Sequence, residues 1–333
     1  MAELRRDPII GRWVIIDTEN PKKPEDFPIE PHYYGDATNC PFCYGNEYMT
    51  PPEIQAFRSE KTGPNTAGWQ VRVVPNKFPA LQIEGELDKR GDGIFDISNG
   101  IGAHEVIIET PYHTKDIVDL EYGEIEKILE MYCLRSRDLE KDKRFKYIMI
   151  FKNYGSAAGA TIDHNHTQLI ALPMIPKNVL EELNGASAYY NFKERCIFCD
   201  IIRQEIEEKE RIIAQNKSFI SFCPFVPRFP FEMWIMPKAH TFSYCDITPD
   251  EIRELAKILK EVLMRMKVIL NDPPYNFIIH TSPIDGEERP GYHWHMEIMP
   301  RVSRIAGFEW GTGFYLVPTP PDMAMKYLKE AKI

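Results

Sequence analysis

Two Cys-x-x-Cys pairs, Cys40-Pro41-Phe42-Cys43 and Cys196-Ile197-Phe198-Cys199, and a run His164-Asn165-His166-Thr167-Gln168 hold the residue types and spacings in this chain that can do chemistry. A tetrahedral zinc ion takes four thiolate or imidazole donors. Cys40, Cys43, His113 and His164 offer such a set in the first half, and Cys196, Cys199, His240 and His293 offer another in the second. The landmarks keep their order and nearly their spacing: His113 and His240 are 127 positions apart, His164 and His293 129. Core cysteines or a redox couple beside unrelated histidines is the competing reading. Repetition of both thiols and both histidines favours metal, with two zinc ions per chain.

The second chemical feature is the run from Asn153 to Gln168. Gly155 and Gly159 bracket Ser156-Ala157-Ala158, with Thr161 following. Small residues let backbone N–H groups approach anionic oxygens, so this is a candidate phosphate loop. On an extended strand His164, His166 and Gln168 share one face and Asn165, Thr167 and Leu169 the other. With His164 on zinc, His166 stands about 7 Å further along, beside whatever the loop holds. A neutral imidazole is a competent nucleophile toward phosphorus, and Gln168 can donate to a phosphoryl oxygen as charge builds up. A third structural histidine is the alternative. The second half has His295 at the position of His166, but no glycine run precedes it and Glu297 replaces Gln168. A carboxylate facing a phosphate would repel it, so this half reads as a non-catalytic copy.

Positioning these groups requires a repeated α+β unit, and the pattern supplies one. Gln70–Val74 and His104–Glu109 alternate like strands, Glu121–Leu139 has helical spacing, and Tyr147–Phe151 leads into the glycine run. Met233–Pro237, a periodic helix over Pro249–Leu270, Tyr275–His280 and Tyr292–Pro300 repeat that order. Each half is expected to be an antiparallel sheet with a covering helix. The halves divide as 1–180 and 181–333, in a stretch near 174–195 where prolines and a short helical segment intervene. Asp88–Gly102, rich in Asp and Gly, reads as an exposed loop. The connection from Pro21 to Pro31 reads as loop too. His32 and His104 have no counterpart in the other half and read as ordinary histidines. Cys133, Cys223 and Cys245 read as small hydrophobes. Whether His280 and His295 join Glu181 or Glu182 as a different metal group is left to the fold.

The 333 residues carry a net charge of −10, with 43% hydrophobic and 27% charged residues. This balance disfavours nucleic acid and acidic membranes as partners, so a phosphate site must be local. No signal peptide or long apolar run is evident, and a cytoplasmic enzyme is the expectation.

The sequence resembles the galactose-1-phosphate uridylyltransferase family, a branch of the histidine-triad superfamily. The resemblance runs through Arg5-Arg6-Asp7-Pro8-Ile9, Cys40-Pro41-Phe42-Cys43, Val74-Pro75-Asn76-Lys77-Phe78-Pro79, His104-Glu105-Val106, Asn153 to Gln168, Pro237-Lys238-Ala239-His240 and Gly307-Phe308-Glu309. It implies a ping-pong transfer in galactose and carbohydrate metabolism: a histidine attacks the α-phosphorus of UDP-glucose, glucose 1-phosphate leaves, and a hexose 1-phosphate collects the uridylyl group. It further implies that His166 is the nucleophile and Cys40, Cys43, His113 and His164 are zinc ligands. Asn153, Thr161 and Gln168 would hold phosphates in the loop closed by Gly159. Asn76, Lys77 and Phe78 would lie near the nucleotide, Phe308 and Glu309 near the hexose. Members are homodimers with the active site near the subunit interface. Three departures stand out: Asn20 and Lys23 where the family usually carries arginines, Trp310-Gly311-Thr312 after Glu309 where well-studied members place a glutamine, and an intact second cysteine pair. The last two are more similar to relatives that act on ADP-sugars. The alternatives are therefore an ADP-sugar or dinucleoside-polyphosphate phosphorylase with phosphate as acceptor, and a non-catalytic nucleotide-binding histidine-triad protein.

Overall fold

The computed structural model describes residues 1–28 and 34–333. In chain order the first half carries β1 (Glu3–Arg6), β2 (Trp13–Ile16), β3 (Gln55–Arg58), β4 (Trp69–Pro75), β5 (Arg90–Asp92), β6 (Phe95–Ile97), β7 (Ala103–Ile108), α1 (Tyr122–Leu139), β8 (Tyr147–Tyr154) and β9 (His166–Leu172). After α2 (Lys177–Lys193) follow α3 (Ile197–Glu208), β10 (Ile212–Gln215), β11 (Phe219–Phe222), β12 (Met233–Pro237), α4 (Pro249–Ile269), β13 (Tyr275–His280), β14 (His295–Pro300), α5 (Gly307–Thr312), β15 (Tyr315–Val317) and α6 (Pro321–Glu330).

Ten strands form one sheet in the order β10-β11-β12-β14-β13-β8-β9-β7-β4-β3. Five come from each half, and every pairing among them is antiparallel. The halves meet where β13 runs beside β8, Asn276 opposite Asn153. The fold is thus the expected α+β repeat, with the two sheets fused edge to edge. Fusion leaves neither half with an open inner edge.

The helices form for reasons visible in the sequence. In α4, Thr248 accepts the amide of Glu251 while Glu251 reaches back to the amide of Thr248, and Pro249 occupies the first turn. This closes the N-terminal orphan donors from both sides. Leu255, Leu259, Val262, Leu263 and Met266 recur at helical spacing and are buried. They pack against α1, whose Ile125, Ile128, Leu129 and Tyr132 line the same core. That core takes inward residues from both half-sheets, among them Ile107, Ile150, Leu169, Ile235, Phe277 and Met296. The opposite face is covered in part by α2 and α3, through Val179, Leu183, Phe198 and Ile202 against Ile220, Trp234 and Met236.

Three expectations change. Asp88–Gly102 contains the two-stranded hairpin β5-β6. The segment between the halves is a helix of 17 residues, longer than a short helical stretch. The histidine strand begins only at His166, with His164 in the bend before it. The connection after Pro21 has a single tight turn at Pro24–Asp26, and its end, with His32, lies outside the described residues. Among the described residues no helix is long and apolar enough to cross a membrane.

Candidate active site and metal centres

The first Cys-x-x-Cys turn and the bend before β9 converge. Cys43 Sγ lies 3.4 Å from His113 Nδ1 and 3.4 Å from His164 Nδ1, and Cys40 Sγ lies 3.5 Å from His164 Nδ1. A tetrahedral zinc ion with its usual bond lengths sets S···N edges of about 3.6 Å, so the four donors fit one ion. The far nitrogens are fixed by backbone: His164 Nε2–H donates to Thr110 O (2.6 Å) and His113 Nε2–H to Gly35 O (2.9 Å). These bonds select the tautomer that leaves Nδ1 free to ligate. Burial pushes the His164 imidazolium down to about 4, keeping the ring neutral.

The second set assembles the same way. Cys199 Sγ is 3.4 Å from His240 Nδ1 and 3.5 Å from His293 Nδ1, and His293 Nε2–H donates to Pro237 O (2.9 Å). In each set the four ligand atoms lie within 4.8 Å of one another.

His166 is buried beside the first set. Its Nδ1–H donates to the carbonyl of His164 (2.8 Å), leaving the lone pair on Nε2. Phe42, from between the two cysteines, packs edge-on at 5.3 Å. Burial lowers the His166 pKa, so the ring is neutral near pH 7. The rear of this strand is tied down by charge. Thr167 and Tyr132 hydrogen-bond Glu109, and Lys152 Nζ bridges Glu109 and Asn165 Oδ1 (2.6 Å). Lys152 and Glu109 are fully buried, so each needs the other's charge.

The glycine run is a tight turn. Gly155 has φ +78° and Gly159 φ +92°, and a Cβ on Gly155 would stand 3.0 Å from Pro274. Asn276 of the second half donates to both Asn153 Oδ1 and Ala158 O (2.8 Å each), which fixes the turn and presents the Asn153 NH2. Asn276 is a site residue that the sequence did not signal. Only pairing of β13 with β8 brings it there.

His104 is the second residue missed. Its Nε2 is 2.8 Å from Gln168 Oε1 and 3.1 Å from Asn76 Nδ2, and its Nδ1 accepts the amide of Ala80 (3.2 Å). An ordinary histidine by sequence, it joins the turn at Asn76 to Gln168. Lys77 and Phe78 follow Asn76 on the surface, Phe78 83% exposed. Thr161 is exposed after the glycine turn.

Phe308 and Glu309 lie on α5. Glu309 caps that helix through the amide of Ala306 (2.9 Å), and no contact among the described residues links either to His166 or Gln168. The next residue but one to Phe308, Trp310, faces Ser156 and Ala157 across a cavity of about 950 Å³ also lined by Arg301 and Arg304.

A third group, Glu182, His280, His295 and Glu297, also clusters. It includes Glu182 and not Glu181, since α2 turns Glu182 inward. His280 bonds Glu182 through Nδ1 and Glu297 through Nε2, each at 3.1 Å. Burial alone would lower its pKa, but the two carboxylates hold it up, at about 10. Arg228 pairs with Glu297 as well. Two cations, His280 and Arg228, thus face Glu182 and Glu297, with Glu232 also 3.9 Å from Arg228, and a metal here would have to displace a proton and an arginine. Cys133, read as a small hydrophobe, is buried with its Sγ 3.9 Å from the Tyr244 carbonyl of the other half.

A family model described as galactose-1-phosphate uridyl transferase, N-terminal domain, matches residues 2–176. Another, described as a domain of unknown function, matches residues 101–330. The chain is similar to ADP-glucose phosphorylase of Arabidopsis thaliana, 36% identical over 99% of this chain and 93% of that protein. It is similar to galactose-1-phosphate uridylyltransferase of Thermotoga maritima, 28% identical over 100% of this chain and 99% of that one. The solved structure of Arabidopsis thaliana ADP-glucose phosphorylase with bound ADP-glucose matches with a TM-score of 0.84 at 34% identity, covering 100% of both chains.

Proposed function

We propose, on the premise that the chain belongs to the galactose-1-phosphate uridylyltransferase family, that this nucleotidyltransferase works through a nucleotidyl-His166 intermediate. The observation that carries this is the His166 ring itself: buried, neutral, with Nδ1–H given to the His164 carbonyl and Nε2 left as the nucleophile. Nε2 attacks the α-phosphorus of a nucleotide sugar. The P–O bond to the β-phosphate breaks, and sugar 1-phosphate leaves with the electron pair. Oxygen of an acceptor phosphate then attacks the phosphoramidate, the N–P bond breaks, and His166 returns neutral. Gln168, Asn153 and the amides around Gly159, with Thr161, donate to the phosphoryl oxygens.

Zinc held by Cys40, Cys43, His113 and His164 would fix the carbonyl that orients His166, and the second set would do structural work only. Residues 1–180 are read as the catalytic half and 181–333 as the non-catalytic copy. Phe308 and Glu309, away from His166 in their own chain, fit a homodimer in which they reach the partner's sugar site. Paired thiols kept reduced for metal suit a cytoplasmic setting.

For the substrate, ADP-glucose with phosphate as acceptor is the better supported reading. It accords with the greater likeness to the Arabidopsis protein and with the assembled second Cys/His set. Uridylyl transfer from UDP-glucose to galactose 1-phosphate is the second reading, supported by the match to the N-terminal family model. Incubation with adenosine-labelled ADP-glucose or uridine-labelled UDP-glucose, quenched in alkali, distinguishes them. Label on the protein from the adenosine compound, lost in His166→Gly, is expected. Label from the uridine compound alone would reverse the order of the two readings. Absence of label from both would defeat the covalent mechanism and leave nucleotide binding without turnover.

A further inference from the structure

We propose that His104 is a positioning residue that fixes which end of the Gln168 side-chain amide faces the phosphoryl group; the proposal rests on the nucleotidyl-His166 reading. The Ala80 amide is a donor that cannot turn. The backbone N–H of Ala80 points at His104 Nδ1 from 3.2 Å, so that nitrogen must carry a lone pair. A neutral imidazole with its lone pair on Nδ1 has its proton on Nε2. The Nε2–H, 2.8 Å from Gln168, then needs an acceptor, and the amide presents Oε1 to it.

The consequence falls at the other end of the amide. With Oε1 held by His104, the Gln168 NH2 is turned away from the ring and has no hydrogen-bond partner among the described residues. Gln168 stands two residues beyond His166 on β9, on the same strand face, so the NH2 is set to donate to a phosphoryl oxygen near Nε2 of His166. Rotating the amide by half a turn would put carbonyl oxygen against that charge. A glutamine alone has no preference between the two orientations, and the ring supplies it.

A neighbouring amide, that of Asn76, is set by a different backbone donor. Asn76 Oδ1 accepts the amide of Phe78 (2.9 Å), which leaves Nδ2 facing His104 Nε2 at 3.1 Å. Nε2 carries a hydrogen in this tautomer, so the contact with the Asn76 NH2 is not a hydrogen bond. The Ala80 N–H thus sets Gln168 through the ring, and the Phe78 N–H sets Asn76 independently of it. At the equivalent place in the second half the residue is Glu232. It accepts from Arg228 N, Phe229 N and Trp234 Nε1, and cannot donate to Glu297.

The test is a double-mutant cycle in the zinc-loaded full chain, reading the single-turnover rate of His166 labelling by nucleotide sugar. His104→Ala is expected to slow labelling about 10²-fold, the usual cost of one donor to a developing oxyanion. In a Gln168→Ala background the same change is expected to alter the rate less than about threefold, because the residue through which it acts is gone. His104→Gln, which can keep an N–H toward Gln168, should recover part of the rate. A full 10²-fold loss in the Gln168→Ala background would overturn the proposal. A second measurement needs no turnover: the ¹⁵N shifts of the His104 ring should show Nε2 protonated and Nδ1 bare. The reverse tautomer would overturn the proposal even if the enzyme labels normally. If wild type takes no label, the functional reading fails while the ring shifts still decide the role of His104.

Discussion

The two halves place different residues at equivalent positions, and the differences separate a histidine beside unengaged amide donors from one packed among rings and charged groups. The strand registers give the correspondence. Val106 is opposite Gln168 and Trp234 opposite Glu297; Phe151 is opposite Gln168 and Ile278 opposite Glu297. Hence His164 matches His293, His166 matches His295, Gln168 matches Glu297, Asn153 matches His280, and His104 matches Glu232. The metal donors and the histidine Nδ1 bond to the preceding histidine carbonyl are common to both. Around them everything polar has changed.

In the second half His280 stacks on His295 at 4.6 Å, Trp234 stacks on another side at 5.1 Å, and Phe198 packs at 5.2 Å. His295 is 1% exposed, and the space around it is filled by Glu297, Arg228 and Glu182. In the first half Asn153, Gln168 and a glycine turn leave donors without acceptors. The same strand geometry thus gives a packed, self-neutralised cluster on one side and a site short of negative charge on the other. The cations of the second-half cluster are already engaged by carboxylates, whereas the amide donors of the first half are not.

The largest expected effect tests this asymmetry directly. His166→Ala should abolish nucleotidyl labelling and lower kcat at least about 10⁴-fold, as losing a covalent nucleophile does. His295→Ala should leave kcat within about threefold; equal losses in both would make the halves functionally equivalent. Next come the metal sets. Elemental analysis should return two zinc ions per chain. Cys40→Ser should remove one and cut activity about 10²-fold, because His164 and the carbonyl that orients His166 are loosened. Cys196→Ser should remove the other and lower thermal stability, with the kcat of the folded fraction reduced less than about tenfold. One zinc ion in wild type would break the metal symmetry.

Breaking the closed cluster is a stability experiment. Arg228→Met leaves Glu297 buried with one cation fewer, and urea unfolding should show a loss of about 3–5 kcal/mol. Lys152→Met, beneath the active strand, should cost a similar amount by stranding Glu109. A loss below about 1 kcal/mol in either would show that these charges are solvated. The smallest effect is expected at Asn276→Ala. Removing its two bonds to the glycine turn should lower kcat/KM about tenfold, in line with a hydrogen bond worth about 1–1.5 kcal/mol. No change would mean that Gly155 and Gly159 hold the turn by themselves.

Much of this was legible from the chain. Strand and helix periods marked β4, β7, β8, α1 and α4 because each buries one face, and burial imposes period two or 3.6 on the sequence. That each Cys/His set would converge could be named because the duplication wrote the same four residue types in the same order twice. The tight glycine turn was legible because positive φ at Gly155 and Gly159 restricts residue type at fixed spacing. What the chain by itself did not determine was every contact between segments distant in sequence. Asn276 reaches the glycine turn only because β13 pairs with β8. His104 became more than an ordinary histidine only when β7 lay beside β9 and the turn after Asn76 brought Ala80 N–H to its ring. His280 closed the second site by stacking across one strand pair onto His295. Such residues carry no local pattern, since a hydrogen bond or ring contact constrains where two side chains meet in space, and only the tertiary structure decided that.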